Sequence, residues 1–271
     1  MQNKLIDLLL DPYPLRTVTK QLIKLFGNYE LRLKAGVTKG KGYGYPNHAR
    51  GIYDTAVLAK KLNYPKISVI EYGVGGGNGL INMEYHAREV AKLLGVEIEV
   101  YGFDLGDGLP RPVDYRDLPS FWKQGFCKMD VSAVKAKLKT AKLILGPIQE
   151  TSKDFFEKNN PAPIGFIAYD LDFYSSTMVA LKMLEAGEKY FLPRMFCYFD
   201  DTVGSETELF SDFTGERWAI REFNLVHPKI KFSRPYYLFA KKVLDPWFHR
   251  MWICHFFEHS RYNDFVNSEM P

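Results

Sequence analysis

Apolar residues in this chain recur with two periods, and the two alternate. Short runs rich in β-branched and aromatic residues occur at 67–70, 97–103, 126–129, 142–145, 163–169 and 195–199. Runs of this length ending in Gly, Asp or Pro predict buried strands. Between them, 80–94, 132–138, 151–158 and 177–188 carry helical spacing, as do 17–26, 52–62 and 216–223. The alternation predicts an α/β fold: a Rossmann-like, doubly wound, mostly parallel sheet with helices on both faces. Two late runs, 229–232 and 236–243, flank Ser233-Arg234-Pro235 and predict an antiparallel pair at one edge. In the tail, Phe248, Trp252 and Phe256 fall four apart. They predict a helix whose aromatic face packs on the body or on a second copy, with a membrane-surface helix as the lesser alternative.

One domain accounts for the pattern: a helical leading segment at 1–62, a core at 63–245 and the aromatic tail at 246–271. Within the leading segment, Gly36, Gly40, Gly42, Gly44 and Gly51 are mixed with Lys39, Lys41, Tyr43, Tyr45 and His48. This stretch reads equally as a mobile lid or as a solvated connection.

Composition narrows the class. With 271 residues and 46% hydrophobic content, the chain can bury a full core. Its net charge of +4 is dispersed, without a basic run that would mark a nucleic-acid tail. Cys127, Cys197 and Cys254 lie far apart with no CxxC pair, as expected of reduced thiols in a cytoplasmic protein. Cys127 and Cys197 fall on expected strands and are read as buried. The first eleven residues are too short an apolar run, and too interrupted by Asp, for a signal peptide. No stretch approaches the roughly 18 apolar residues of a membrane span.

The candidate chemistry begins at Ile67–Gly79, where a strand runs into Glu71 and then Gly73, Gly75, Gly76, Gly77 and Gly79 before a helix. Such a loop brings main-chain N–H groups close to a nucleoside ligand. The tight glycine spacing lacks the G-x-G-x-x-G gap and weakens a nicotinamide-dehydrogenase reading. Asp104 ends the next strand, where an acid commonly binds ribose hydroxyls. Asp130 ends the expected third strand. Asp170 and Asp200-Asp201 end two later strands. If those strands are neighbours, three carboxylates converge, and a divalent cation with all-oxygen ligation relieves their repulsion. Strand-end acids that are separately solvated, or that cap helices, are the alternative, and Asp172 suits that role. Ser176 or Thr177 is expected to cap the helix that follows. His48 and His86 are lesser candidates for ligand contact. His255 and His259, four apart without an H-E-x-x-H context, are read as packing residues.

Glu71-x-Gly-x-Gly-x-Gly77 resembles the first motif of class I S-adenosylmethionine-dependent methyltransferases. Asp170-Leu-Asp-Phe-Tyr-Ser-Ser-Thr177, followed by Asp200-Asp201, is similar to the macrocin O-methyltransferase family of metal-dependent sugar O-methyltransferases. Asp104 with Gly108-Leu-Pro110 also resembles a turn of that family. The resemblance covers about residues 67–201, and the segment 185–194 departs from the family's P-G-G turn. It implies S-adenosylmethionine bound by Glu71, Gly73, Gly75 and Gly77, its ribose by Asp104, and Asp130 near adenine. It implies Mg²⁺ or another divalent cation on Asp170, Asp200 and Asp201, with Asp170 also the general base. The implied acceptor is a hydroxyl of a small molecule, a sugar or glycosylated natural product. A methyltransferase with a different acceptor and a cofactor-binding assembly module without catalysis are the alternatives. The absence of a Pro-Pro pair argues against amino-methylation of nucleic acid.

Overall fold

A computed structural model describes residues 15–38, 44–241 and 244–267. The first eleven residues, and Lys39, Gly40, Lys41, Gly42 and Tyr43 of the glycine-rich stretch, lie outside the described residues. The helices named below are α1 (Leu15–Phe26), α2 (Tyr29–Ala35), α3 (Pro46–Lys61), α4 (Asn78–Leu94), α5 (Val131–Lys137), α6 (Ile148–Thr151), α7 (Phe155–Asn159), α8 (Tyr174–Lys182), α9 (Gly215–Val226) and α10 (Tyr236–Phe239). The strands are β1 (Lys66–Tyr72), β2 (Glu97–Asp104), β3 (Lys142–Leu145), β4 (Ile164–Tyr169), β5 (Phe191–Phe199), β6 (Ile230–Ser233) and β7 (Met251–Phe256).

The strands form one seven-stranded sheet in the order β3-β2-β1-β4-β5-β7-β6. The first five are parallel, and β7 lies antiparallel to both β5 and β6. Successive strand residues face opposite sides, and both sides are apolar. Ile70 and Ile167 enter a core that includes Phe223 of α9. Their neighbours Val69 and Phe166 enter the other, with Ile52 of α3 and Met83 of α4. A sheet buried on both faces needs helices on both faces, and this is why its central strands read as continuous apolar runs.

Several expectations are corrected. Residues 126–129 form no strand; Cys127 takes a left-handed conformation (φ 60°) and is exposed, and the third strand is Lys142–Leu145. The expected glycine-rich loop ends early, because α3 starts at Pro46 and contains His48 and Gly51. Tyr236–Phe239 is a short helix, not a strand. The partner of β6 comes from the tail: Met251–Phe256 is a strand between β5 and β6, preceded by a 3₁₀ turn at Pro246–Arg250. Phe248, Cys254 and Phe256 are buried in the protein's own core, so Met251–Phe256 belongs to the sheet.

Candidate active site

The sheet reverses direction of growth between β1 and β4. Ligands in open α/β sheets gather at such a switch point, outside the carboxyl ends of the strands. A cavity of about 470 Å³ lies there. Its wall is built from the ends of four adjacent strands: Glu71–Gly76 after β1, Phe103–Leu105 after β2, Gly146–Gln149 after β3 and Asp170–Asp172 after β4. Tyr45, Asn78, Gly79, Gly108–Pro110, Cys127 and Ser176 complete it.

An aromatic ladder fixes where these strands end. Phe103, Tyr72, Tyr169 and Phe199 are the residues immediately before Asp104, Gly73, Asp170 and Asp200. Their rings contact in series, with centroids 4.8 Å, 5.6 Å and 4.4 Å apart. Backbone register agrees: Tyr72 pairs with Phe103 and Tyr169, and Tyr169 with Phe199. Each site residue therefore emerges at the same height above a stacked floor.

On the β1–β2 side, the cavity wall is a glycine turn flanked by two acids, Glu71 and Asp104. Gly73, Gly75 and Gly77 all have positive φ. Gly73 and Gly75 line the cavity, whereas Gly77 packs under α4 against Val134, outside the lining. The carboxylate of Asp104 accepts from the Gly75 N–H (2.8 Å) and the Gly106 N–H (2.6 Å) and reaches the cavity between them. Glu71 is buried, and a Cβ on Gly79 would lie 1.9 Å from its Oε1. Among the described residues its Oε2 has no hydrogen-bond partner. Burial, and then the carboxylates of Asp170, Asp104 and Asp200, push the Glu71 pKa well up. An orphaned acceptor in a cavity wall fits a ligand with an ammonium or other donor group, and Asp104 suits a diol; both are features of S-adenosylmethionine.

On the β4–β5 side, the site is acidic. Asp170, Asp200 and Asp201 each offer one carboxylate oxygen, all within 4.8 Å of one another. The parallel pairing of Tyr169 with Phe199 brings Asp170 and Asp200 side by side. Asp200 is braced on one oxygen: its Oδ1 accepts from the Tyr198 hydroxyl (2.6 Å) and from Arg250, which also donates to the Val203 carbonyl. Asp201 Oδ2 accepts the N–H of Asp172 (2.8 Å), itself in a left-handed conformation at φ 57°. Burial, followed by mutual repulsion with Asp200 and Asp172, raises the Asp170 pKa; burial also raises that of Asp172, to about 7. The Asp170 side chain is solvent-accessible where it opens into the cavity. Three oxygen donors this close, with Arg250 paired to only one of them, fit a hard divalent cation such as Mg²⁺.

The structure brings Glu71, Gly73, Gly75, Asp104 and Asp170 to one cavity and adds Asp200 and Asp201 behind Asp170. Asp130 stands apart: exposed and outside the cavity lining, it caps α5 by accepting the Ala133 N–H. Ser176 and Thr177 are not caps, since α8 begins at Tyr174; the Thr177 hydroxyl donates back to the Phe173 carbonyl. His255 and His259 bond to the Tyr262 hydroxyl and the Phe191 carbonyl, away from the site. His48 is buried beneath Tyr45, its Nε2 4.0 Å from Glu71, and burial lowers its pKa to about 3. Sequence reading missed Arg250, hidden in the misread tail, and Glu216. The latter is an ordinary first-turn acid by sequence, yet it is wholly buried against the Asp170 and Asp201 turns.

The sheet order, mostly parallel with an antiparallel edge, is that of a Rossmann-like fold. Among solved structures, the chain is similar to the calicheamicin methyltransferase CalS11, at 18% identity over 82% of this chain and 83% of that one, with a TM-score of 0.52. Weaker likenesses include the O-methyltransferase NovP (14% identity, 74% and 84% covered, TM-score 0.42). Another is MycE of mycinamycin biosynthesis, determined with Mg, S-adenosylhomocysteine and mycinamycin VI (12% identity, 89% and 62% covered, TM-score 0.40). No protein-family model matches the sequence, and no curated protein does.

Proposed function

We propose that this chain is an S-adenosylmethionine-dependent O-methyltransferase. Its acceptor is a hydroxyl of a small molecule, of which a sugar or glycosylated natural product is the best candidate. A divalent cation, best Mg²⁺, sits on Asp170, Asp200 and Asp201. One observation carries the reading: Asp170 belongs both to the cavity that begins at the glycine loop and to the acidic cluster behind it.

The residues divide the work. The glycine turn at Gly73–Gly76 and the unpaired Glu71 oxygen hold the amino-acid end of the cofactor, and Asp104 holds its ribose. The cation, when bound, lowers the pKa of the acceptor hydroxyl it contacts. Asp170 stands between the two halves of the site and accepts the proton from that hydroxyl. The Tyr72–Tyr169–Phe199 stack keeps Gly73, Asp170 and Asp200 at fixed spacing. The protein's main task is thus alignment, since a sulfonium is already a good leaving group.

Thermal denaturation with added ligand tests this. S-Adenosylmethionine and S-adenosylhomocysteine are each expected to raise the midpoint, and NAD to leave it unchanged. Mg²⁺ is expected to raise it further in the wild type and not in Asp200→Asn. A chain indifferent to both sulfur ligands is not this enzyme.

A further inference from the structure

The first turn of α9 enters the site from outside the two metal-bearing strands. Glu216 stands there with no exposed surface. Its Oε2 accepts the N–H of Asp201 (3.0 Å), and its Oε1 accepts the N–H of Leu171 (3.3 Å). Leu171 directly follows Asp170, so one carboxylate joins the turn after β4 to the turn after β5. Gly215 sits as close: at φ 54°, its missing Cβ would be 3.4 Å from the Asp172 carbonyl oxygen. Behind this contact α9 is anchored in the core by Ala219, Ile220 and Phe223. The N-terminus of α9 has no side-chain cap, and its positive end favours the buried carboxylate.

We infer that Glu216 is the positioning residue of the proposed cation site, a buried clasp that sets the distance between Asp170 and Asp201 without touching the ion. This rests on the reading of those residues as a metal site. The pairing of β4 with β5 sets Asp170 beside Asp200, but it ends before Asp201, and repulsion among the carboxylates works to spread the turns beyond it. The Glu216 carboxyl accepts from two main-chain N–H groups, one on each oxygen, and so orders the turns through the backbone while Asp170, Asp200 and Asp201 each leave one oxygen for the ion. The second tie, Asp172 N–H to Asp201 Oδ2, fixes the orientation of one ligand but does not reach Asp170. Mg²⁺ demands near-ideal octahedral geometry, whereas Ca²⁺ tolerates longer and irregular bonds. A clasp therefore matters more to Mg²⁺ than to Ca²⁺.

The test compares wild type with Glu216→Gln, which keeps the shape but puts an amide NH₂ against one backbone N–H. Mg²⁺, Ca²⁺ and S-adenosylhomocysteine are titrated separately by calorimetry. The variant is expected to bind Mg²⁺ at least tenfold more weakly and Ca²⁺ less than threefold more weakly, with S-adenosylhomocysteine affinity held within twofold. Unchanged Mg²⁺ affinity, or an equal loss for all three ligands, overturns the inference; the second result marks Glu216 as a general structural acid. A wild type that binds S-adenosylhomocysteine but no divalent cation removes the metal reading itself, and this inference with it. Amide hydrogen exchange on the metal-free wild type needs no variant to fold. Slow exchange at Leu171 and Asp201 supports the clasp, and exchange at open-loop rates overturns it.

Discussion

Gly73 passes so close to Asp170 that a Cβ on Gly73 would lie 1.7 Å from the Asp170 carbonyl oxygen. The glycine loop proposed to face the cofactor and the strand end proposed to face the cation are thus in close backbone approach, and the Asp170 N–H donates to the Tyr72 carbonyl at 3.0 Å. Gly73 also has φ +78°, a region closed to most side chains. Gly73→Ala is expected to cost about 1–2 kcal/mol for the left-handed backbone and a similar amount again for the overlap. It should also weaken S-adenosylhomocysteine binding and divalent-cation binding together. Urea denaturation with parallel ligand titrations measures all three; a stable variant with full affinity for both would separate the two halves of the site.

Tyr169, at the centre of the aromatic ladder, is wholly buried, and its hydroxyl has no hydrogen-bond partner among the described residues. Removing an unsatisfied buried polar group costs nothing and relieves its desolvation. Tyr169→Phe is expected to be neutral or to stabilise the protein by about 1 kcal/mol. Tyr169→Ala should cost about 3–5 kcal/mol by opening a cavity under Asp170. The two urea midpoints check both signs.

Glu84 ties α4 to the turn before β3. Its carboxylate accepts from the N–H groups of Lys139 (2.9 Å), Thr140 and Ala141 (2.9 Å) and from the Thr140 hydroxyl (2.9 Å). Burial would raise its pKa, but these donors outweigh burial and hold it below the usual range. Stability from this group is therefore present above the unfolded carboxyl pKa and lost as pH falls through the folded one. Glu84→Gln is expected to cost about 2–3 kcal/mol at neutral pH, the worth of bonds to a charged acceptor. It should cost progressively less below pH 4, as seen in denaturation midpoints across that range.

His86 gives the opposite construction. Its Nε2 lies 3.0 Å from the Gly44 carbonyl, which only accepts, so Nε2 carries the hydrogen; Nδ1 meets the Tyr29 hydroxyl at 3.0 Å. Burial lowers its pKa to about 4, against the opposing pull of Gly44 and Glu89. The folded protein thus takes up this proton later than the unfolded chain does. Stability is full above the unfolded histidine pKa of about 6.5 and falls as pH drops towards 4. His86→Gln removes one proton from that balance. Its stability profile should be flatter than wild type over this window by up to about 1.4 kcal/mol per pH unit. Identical slopes would mean that His86 titrates normally in the folded state.

The fold was legible where the signal is local. A buried strand shows as an apolar run, and an acid or glycine at its end shows in the next position, so Gly73, Asp104, Asp170 and Asp200 could be placed at strand ends from sequence. Phe248, Trp252 and Phe256 could not, because a spacing of four suits both a helix face and a strand face. Trp252 and Phe256 in fact share a strand face with Cys254. Phe126–Met129 had strand-like residues but no neighbour to pair with, since Lys142–Leu145 takes the place beside β2. Glu216 and Arg250 were invisible for another reason. Their roles come from bonds to Leu171, Asp201 and Asp200, far away in sequence, and no local pattern marks them.

A crystal structure of the chain with S-adenosylhomocysteine and Mn²⁺, with the anomalous signal of manganese recorded, tests the central claim most directly. One anomalous peak is expected between Asp170, Asp200 and Asp201, with ribose hydroxyls on Asp104 and the sulfur facing the peak across the space above Asp170. A cofactor bound elsewhere, or no peak at those three carboxylates at saturating Mn²⁺, would contradict it.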